Sequence, residues 1–155
     1  MALTNLSEPT KDLAVKMQGV WWLLSREDYT PDGRRRIDPV LGSDPLAILA
    51  YGKNLFSAQF MKRDRTAGEQ HGQPQAGQNN TAAMSGYDAY FGSYEADELT
   101  GKVAHTIMGS IIPANVGLTV SRDIRVDGDT LIIQLETTST DGEPVIRTLT
   151  WTRIS

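Results

Sequence analysis

The sequence predicts an all-β protein, an antiparallel barrel of eight to ten strands with one or two short helices. Three observations predict it. Strand runs show the period of two that a half-buried strand imposes, as where Leu131, Ile133 and Leu135 alternate with Ile132, Gln134 and Glu136. Short turn signals separate the runs: Gly52-Lys53-Asn54, Thr100-Gly101, Asp127-Gly128-Asp129 and Asp141-Gly142. Connections this short make neighbouring strands antiparallel, and a long meander removes its open edges by closing on itself.

Residues 1–18 read as a lead-in with a short helix, because Ser7-Glu8-Pro9-Thr10 can start one and Leu13 and Met17 lie four apart on one face. Residues 19–155 form the barrel domain. Its first strand begins at Gly19 and carries Val20-Trp21-Trp22-Leu23-Leu24 up to the turn Thr30-Pro31-Asp32-Gly33. Further strands are expected over residues 34–37, 46–51, 55–61, 93–98, 102–111, 118–126, 130–138 and 145–154. Residues 62–80, polar and rich in Gly, Gln and Pro, read as a long mobile loop at one barrel mouth, where it could gate entry. Asn80 or Thr81 can then cap a helix running towards Phe91, weakened by Gly86.

Composition narrows the function classes. The chain has 155 residues, enough for one domain with its own core. It has no cysteine, which excludes disulfides, thiolate metal sites and cysteine nucleophiles and favours a reducing, cytoplasmic location. A net charge of −4 argues against nucleic acid as a partner. No apolar run suits a membrane span, and residues 1–9 lack the pattern of a secretory signal. No phosphate loop, dinucleotide fingerprint or Gly-x-Ser-x-Gly elbow occurs, so no cofactor is expected. The two histidines, His71 and His105, lie too far apart in character for a zinc site, so no metal is expected.

The candidate chemistry lies on the inward strand faces. His105 shares a face with Val103 and Ile107, so it is either a ligand contact able to move a proton near neutral pH or a buried histidine with a structural partner. Val120 and Arg122 share a face, and Arg147 shares one with Leu149 and Trp151. An arginine inside a barrel can hold a carboxylate or enolate oxygen by two bonds, or can pair with an acid at a barrel end. Tyr51, Tyr90 and Tyr94 could offer hydroxyls to a cavity or pack their rings in the core. His105, Arg122 and Tyr94 are the catalytic candidates.

Two sets of residues resemble a known family. Gly19-Val20-Trp21 is the Gly-x-Trp that opens lipocalin and calycin barrels, and Trp151-Thr152-Arg153 supplies a late arginine. Then Pro39-Val40-Leu41-Gly42-Ser43-Asp44-Pro45-Leu46, residues 56–65, Ala89-Tyr90-Phe91-Gly92-Ser93-Tyr94-Glu95, Val103-Ala104-His105 with Gly109-Ser110, and Asp127-Gly128-Asp129-Thr130-Leu131 follow in order. This resembles the short bacterial and fungal lipocalin-like domain proteins. The resemblance implies that Arg153 packs across Trp21 to close one barrel end, a cation–π contact. It adds Gln59 and Met61 as cavity candidates through Ser57-Ala58-Gln59-Phe60-Met61, although Phe56 and Phe60 compete for the inner face. Asn115 stands where the group has a tryptophan, near a pocket mouth.

The expected function is binding of a small hydrophobic molecule in the barrel, contacted by Tyr51, Gln59, Met61, Tyr90, His105, Ile107, Asn115, Val120, Arg122 and Arg147. The alternative is a cofactor-free cyclase, isomerase, lyase or hydratase using the same cavity, with His105 as acid or base. A partly open barrel edge would make a homodimer easy.

Overall fold

The computed structural model describes residues 12–65, 85–139 and 141–155. The chain enters through helix α1 (Leu13–Met17) and continues through β1 (Gly19–Tyr29), β2 (Arg35–Arg36), β3 (Leu46–Tyr51), β4 (Leu55–Met61), β5 (Tyr87–Asp97), β6 (Lys102–Ser110), β7 (Thr119–Asp127), β8 (Thr130–Thr138) and β9 (Pro144–Arg153). A single 3₁₀ turn, Pro113–Asn115, lies between β6 and β7. The strands form one sheet in the order β2-β1-β3-β4-β5-β6-β7-β8-β9, and β1 also pairs with β9. That last pairing closes eight strands into an antiparallel barrel, with β2 attached outside to the far end of β1.

The strands at 46–51, 55–61 and 130–138 fall where their alternation puts them. One element differs. Residues 87–91 were expected to end a helix, but they begin β5. Asp88, Tyr90, Gly92 and Tyr94 face inward on that strand, a period of two that side-chain burial enforces over weak helix propensity. Of the long loop expected over 62–80, residues 66–80 lie outside the described residues, as does the start of the expected helix.

Alternation closes the end of the barrel at which β1 begins. Trp21 is fully buried, and its indole Nε1 donates to the Met17 carbonyl at 2.8 Å. The Arg153 guanidinium lies 4.2 Å from the centre of the Trp21 ring. It also donates to the Gln18 and Lys16 carbonyls at 2.7 and 2.9 Å, so it holds the end of α1 as well as the tryptophan. Asp129, in the β7–β8 turn, accepts from Arg153 Nε at 3.1 Å. Gly19 permits this arrangement. Its φ is +138°, and a Cβ there would lie 2.7 Å from an Arg153 nitrogen.

Halfway along β1 the pattern inverts. Leu23 pairs with Trp151 and Ser25 with Thr150, so Leu24 is an extra, bulged residue. Trp21 and Leu23 face inward before the bulge, and Arg26, Asp28 and Thr30 are buried after it. A second register shift at Phe91/Gly92 leaves Met108 unpaired on β6. There a Cβ on Gly92 would meet the Thr106 carbonyl oxygen at 1.8 Å, so only glycine fits.

Candidate functional site

A cavity of ≈ 50 Å³ lies inside the barrel. That is room for roughly four waters, or about 120 Å³ of liquid. Every strand of the closed barrel contributes a wall residue. Leu49, Phe56, Phe60, Ile133, Leu135 and Leu149 supply an apolar lining. Arg26, Asp88, His105, Arg122 and Arg147 supply ionisable groups, all of them buried.

His105 stands on β6 opposite Tyr94 and Val120. Its Nε2 shares a 2.7 Å hydrogen bond with the Tyr51 hydroxyl, and its ring packs edge-on against Phe56 with centroids 4.5 Å apart. Burial, and then the positive charge of Arg122, push its pKa down to about 3. The imidazole is therefore neutral near pH 7 and a weak base. Burial likewise holds the Tyr51 hydroxyl well above its ordinary value and pushes Tyr90 up to about 12. His105 and Tyr51 act as a neutral pair that fixes the shape of one cavity wall.

The far end of β1 carries a buried ionic network. Arg147 donates to both carboxylate oxygens of Asp28 at 2.8 and 2.9 Å, a two-pronged pairing across β1 and β9. Burial opposes the Arg147 charge, but Asp28 and Asp38 outweigh it and keep its pKa above the ordinary value. Arg26 donates to Asp38 at 3.0 Å. Asp38 also accepts the Val40 and Leu41 backbone N–H groups at 2.7 and 3.0 Å. Burial works against its charge, yet Arg26 and these donors keep its pKa below the ordinary range.

Asp88 differs from these two aspartates. It lines the cavity at 5% exposure, and no described side chain donates to its carboxyl group. Burial lifts its pKa to about 7, against the pull of the Ala89 N–H and of Arg26 and Arg147. Trp151 lines the same cavity at 1% exposure, and its indole Nε1 has no hydrogen-bond partner among the described residues. Among the described residues no three histidine, aspartate or glutamate side chains gather as metal ligands would.

Six of the residues named from sequence line this cavity: Tyr51, Tyr90, His105, Val120, Arg122 and Arg147. Five do not. Gln59 points outward, where its Oε1 accepts from the Tyr87 hydroxyl at 2.5 Å, because Phe56, Ala58 and Phe60 take the inner face of β4. Met61 falls on the same outer face by alternation. Tyr94 is not at the cavity. Its hydroxyl donates to the Gly52 carbonyl at 2.6 Å, by the β3–β4 turn, so the catalytic role expected of it has no support in its position. Ile107 is buried in the core and Asn115 in the 3₁₀ turn, both away from the cavity wall.

Alternation missed Arg26, Asp28 and Asp88. Counted from Trp21, the even positions of β1 should face solvent, and the bulge at Leu24 reverses that count. The signal for Asp88 was present, since it shares parity with Tyr90 and Tyr94, but it was hidden by reading residues 81–91 as a helix.

The family model described as a lipocalin-like domain matches residues 18–154. No curated protein matches the chain.

Proposed function

The chain belongs to the lipocalin-like domain family, and from that premise we propose that it binds one small molecule inside the barrel. The observation that carries this reading is the internal cavity, where an apolar wall faces a cluster of buried polar groups. Apolar lining with a few placed polar groups is the usual build of a small-molecule site. The apolar body of the ligand rests on Phe56, Phe60, Ile133, Leu135 and Leu149, and its polar end lies towards Asp88, Arg122 and Tyr90.

An enzyme built on this cavity would place proton transfer at Asp88 rather than at His105. A carboxyl group near 7 exchanges a proton at neutral pH, whereas an imidazole near 3 does not.

Methylcyclohexane tests the binding reading, because it is a compact apolar ring that carries no polar group. In methyl NMR spectra, resonances of Ile133, Leu135 and Leu149 should shift saturably as it is added. Val120→Trp, which puts an indole into the cavity wall, should abolish those shifts while secondary structure by circular dichroism is retained. Shifts confined to the exposed Leu24, Leu55 and Leu99 would refute the reading.

A further inference from the structure

We propose that Asp88, Tyr90 and Trp151 form one recognition site for the carbonyl oxygen of a small, uncharged carbonyl compound held in the cavity. The proposal rests on the binding reading above and names the ligand class it leaves open.

The argument starts from Trp151. An indole N–H can only donate, and this one is buried with no acceptor among the described residues. A buried donor left unmet destabilises the empty protein, so a ligand that brings an acceptor gains what the protein lacks. The Tyr90 hydroxyl also makes no hydrogen bond among the described residues, and the Asp88 carboxyl takes only the N–H of Ala89. The contrast with the ionic network is sharp. Asp28 is held by two bonds from Arg147, and Asp38 by Arg26 and two backbone groups.

The three groups surround one ring. Phe60 lies 5.8 Å from Trp151 and 6.4 Å from Tyr90, centroid to centroid, and it is the β4 partner of Asp88. Asp88 and Tyr90 are two apart on the inner face of β5. A carbonyl-bearing ring seated against Phe60 is flanked by the side chains of Trp151 and Tyr90, with Asp88 beside it on the neighbouring strand.

The charges around Asp88 select the ligand's charge. Arg26 faces it from β1 and Arg147 from β9, with Asp38 beyond Arg26 and Tyr90 two residues along its own strand, while Arg122 on β7 and His105 on β6 line the same cavity. A cation would sit among arginines, and Arg147 and Arg26 are already matched by Asp28 and Asp38, so an anion would bring charge that they do not need. A neutral oxygen acceptor meets neither obstacle. In its protonated form Asp88 donates to that oxygen, as Tyr90 and Trp151 do. Once ionised it presents only acceptors and repels it. Carbonyl binding thus favours the protonated form, and affinity must fall as pH rises through the Asp88 transition.

Three probes of one shape test this: cyclohexanone, methylcyclohexane and cyclohexanecarboxylate. Affinities come from NMR titration, with the tryptophan indole N–H signals as a local readout. Trp21, already bonded to Met17, and the outward Trp22 serve as internal controls. Cyclohexanone should bind at least about tenfold more tightly than methylcyclohexane near pH 6 and should shift the Trp151 indole proton downfield. Its affinity should fall about tenfold between about pH 6 and about pH 8 in the natural protein and stay level in Asp88→Asn, which keeps a donor and does not titrate. Trp151→Phe should weaken cyclohexanone alone. Equal binding of methylcyclohexane with an unmoved Trp151 signal overturns the inference and leaves the binding reading standing. Tighter binding of cyclohexanecarboxylate overturns it in favour of an acid ligand. Exclusion of all three probes overturns the inference and the binding reading together.

Discussion

The two ends of β1 solve opposite problems with similar residues. At its start, Arg153 lies over Trp21 and divides its donors between the Lys16 and Gln18 carbonyls and the Asp129 carboxylate, partly in water. At its far end, Arg147 and Arg26 are sealed inside and matched to Asp28 and Asp38. The first arrangement is packing with a charge on its rim. The second is charge neutralisation with packing around it. The difference teaches that an arginine on a strand face has no fixed meaning. Whether it closes a barrel or furnishes its interior depends on what stands across the ladder.

Removing the packing end should cost most. Trp21→Ala deletes a fully buried indole and its bond to Met17, and urea denaturation should register a loss of about 3–5 kcal/mol. A change below about 1 kcal/mol would deny this end its role as the stability anchor. Breaking the ionic end from one side comes next. Arg147→Met leaves Asp28 buried and unmatched and should cost about 3 kcal/mol. The double replacement Asp28→Leu with Arg147→Met should recover most of that loss, because a buried pair replaced by apolar groups of similar bulk is often neutral. If the double variant is as unstable as the single one, the pair contributes more than mutual neutralisation.

Asp88 sharpens the comparison through pH. Its folded pKa lies above that of the unfolded chain, so the folded state holds the proton more tightly. That contribution is complete below about pH 4 and is lost as pH rises through about 7. Asp88→Asn does not titrate. Its stability advantage over the natural protein should therefore grow by about 2 kcal/mol between about pH 5 and about pH 8. A pH-independent difference in denaturation midpoint would mean that Asp88 is solvated in the folded state.

His105 runs the other way. Its pKa is lowered on folding, so stability is present above the unfolded value of about 6.5 and is lost as pH falls towards about 3. His105→Phe should flatten that acid limb in thermal melts, at a cost of about 1–2 kcal/mol for the stranded Tyr51 hydroxyl. Retention of the full acid limb would assign it to other groups. The smallest effect belongs to Arg153→Lys, which keeps the charge but not the fork or the flat stack. A loss of about 1 kcal/mol in urea is expected, with cavity probes binding as before. A change in probe affinity would show that the two ends are coupled.

The end that packs was legible in the sequence. Trp21, Arg153, Leu13 and Met17 sit on unbroken alternation or helical spacing, and all four meet at the closed end. The interior cluster was only half legible. His105, Val120, Arg122 and Arg147 lie on stretches of strand with uninterrupted parity, His105 ahead of the irregularity at Met108, so their faces could be counted. Arg26 and Asp28 could not, because one bulged residue inverts every position that follows it. Gln59 was misplaced for a related reason. On β4 polar and apolar residues alternate cleanly, but alternation alone does not say which set is inside, and two phenylalanines outcompeted one glutamine.

The pairing of β1 with β9 also has a temporal side. Its partners stand more than a hundred positions apart in the chain, so closure is a long-range event that waits for the rest of the meander to form. Until then β1 is covered on one side only, by β2 and β3, and its other side is an open edge. Such an edge invites pairing with another chain. Arg26 and Asp28 lie along it, and a foreign strand would have to bury both without Arg147 and Asp38 in place to neutralise them. The ionic residues that furnish the finished interior therefore also guard the unfinished barrel, by making β9 the partner that costs least.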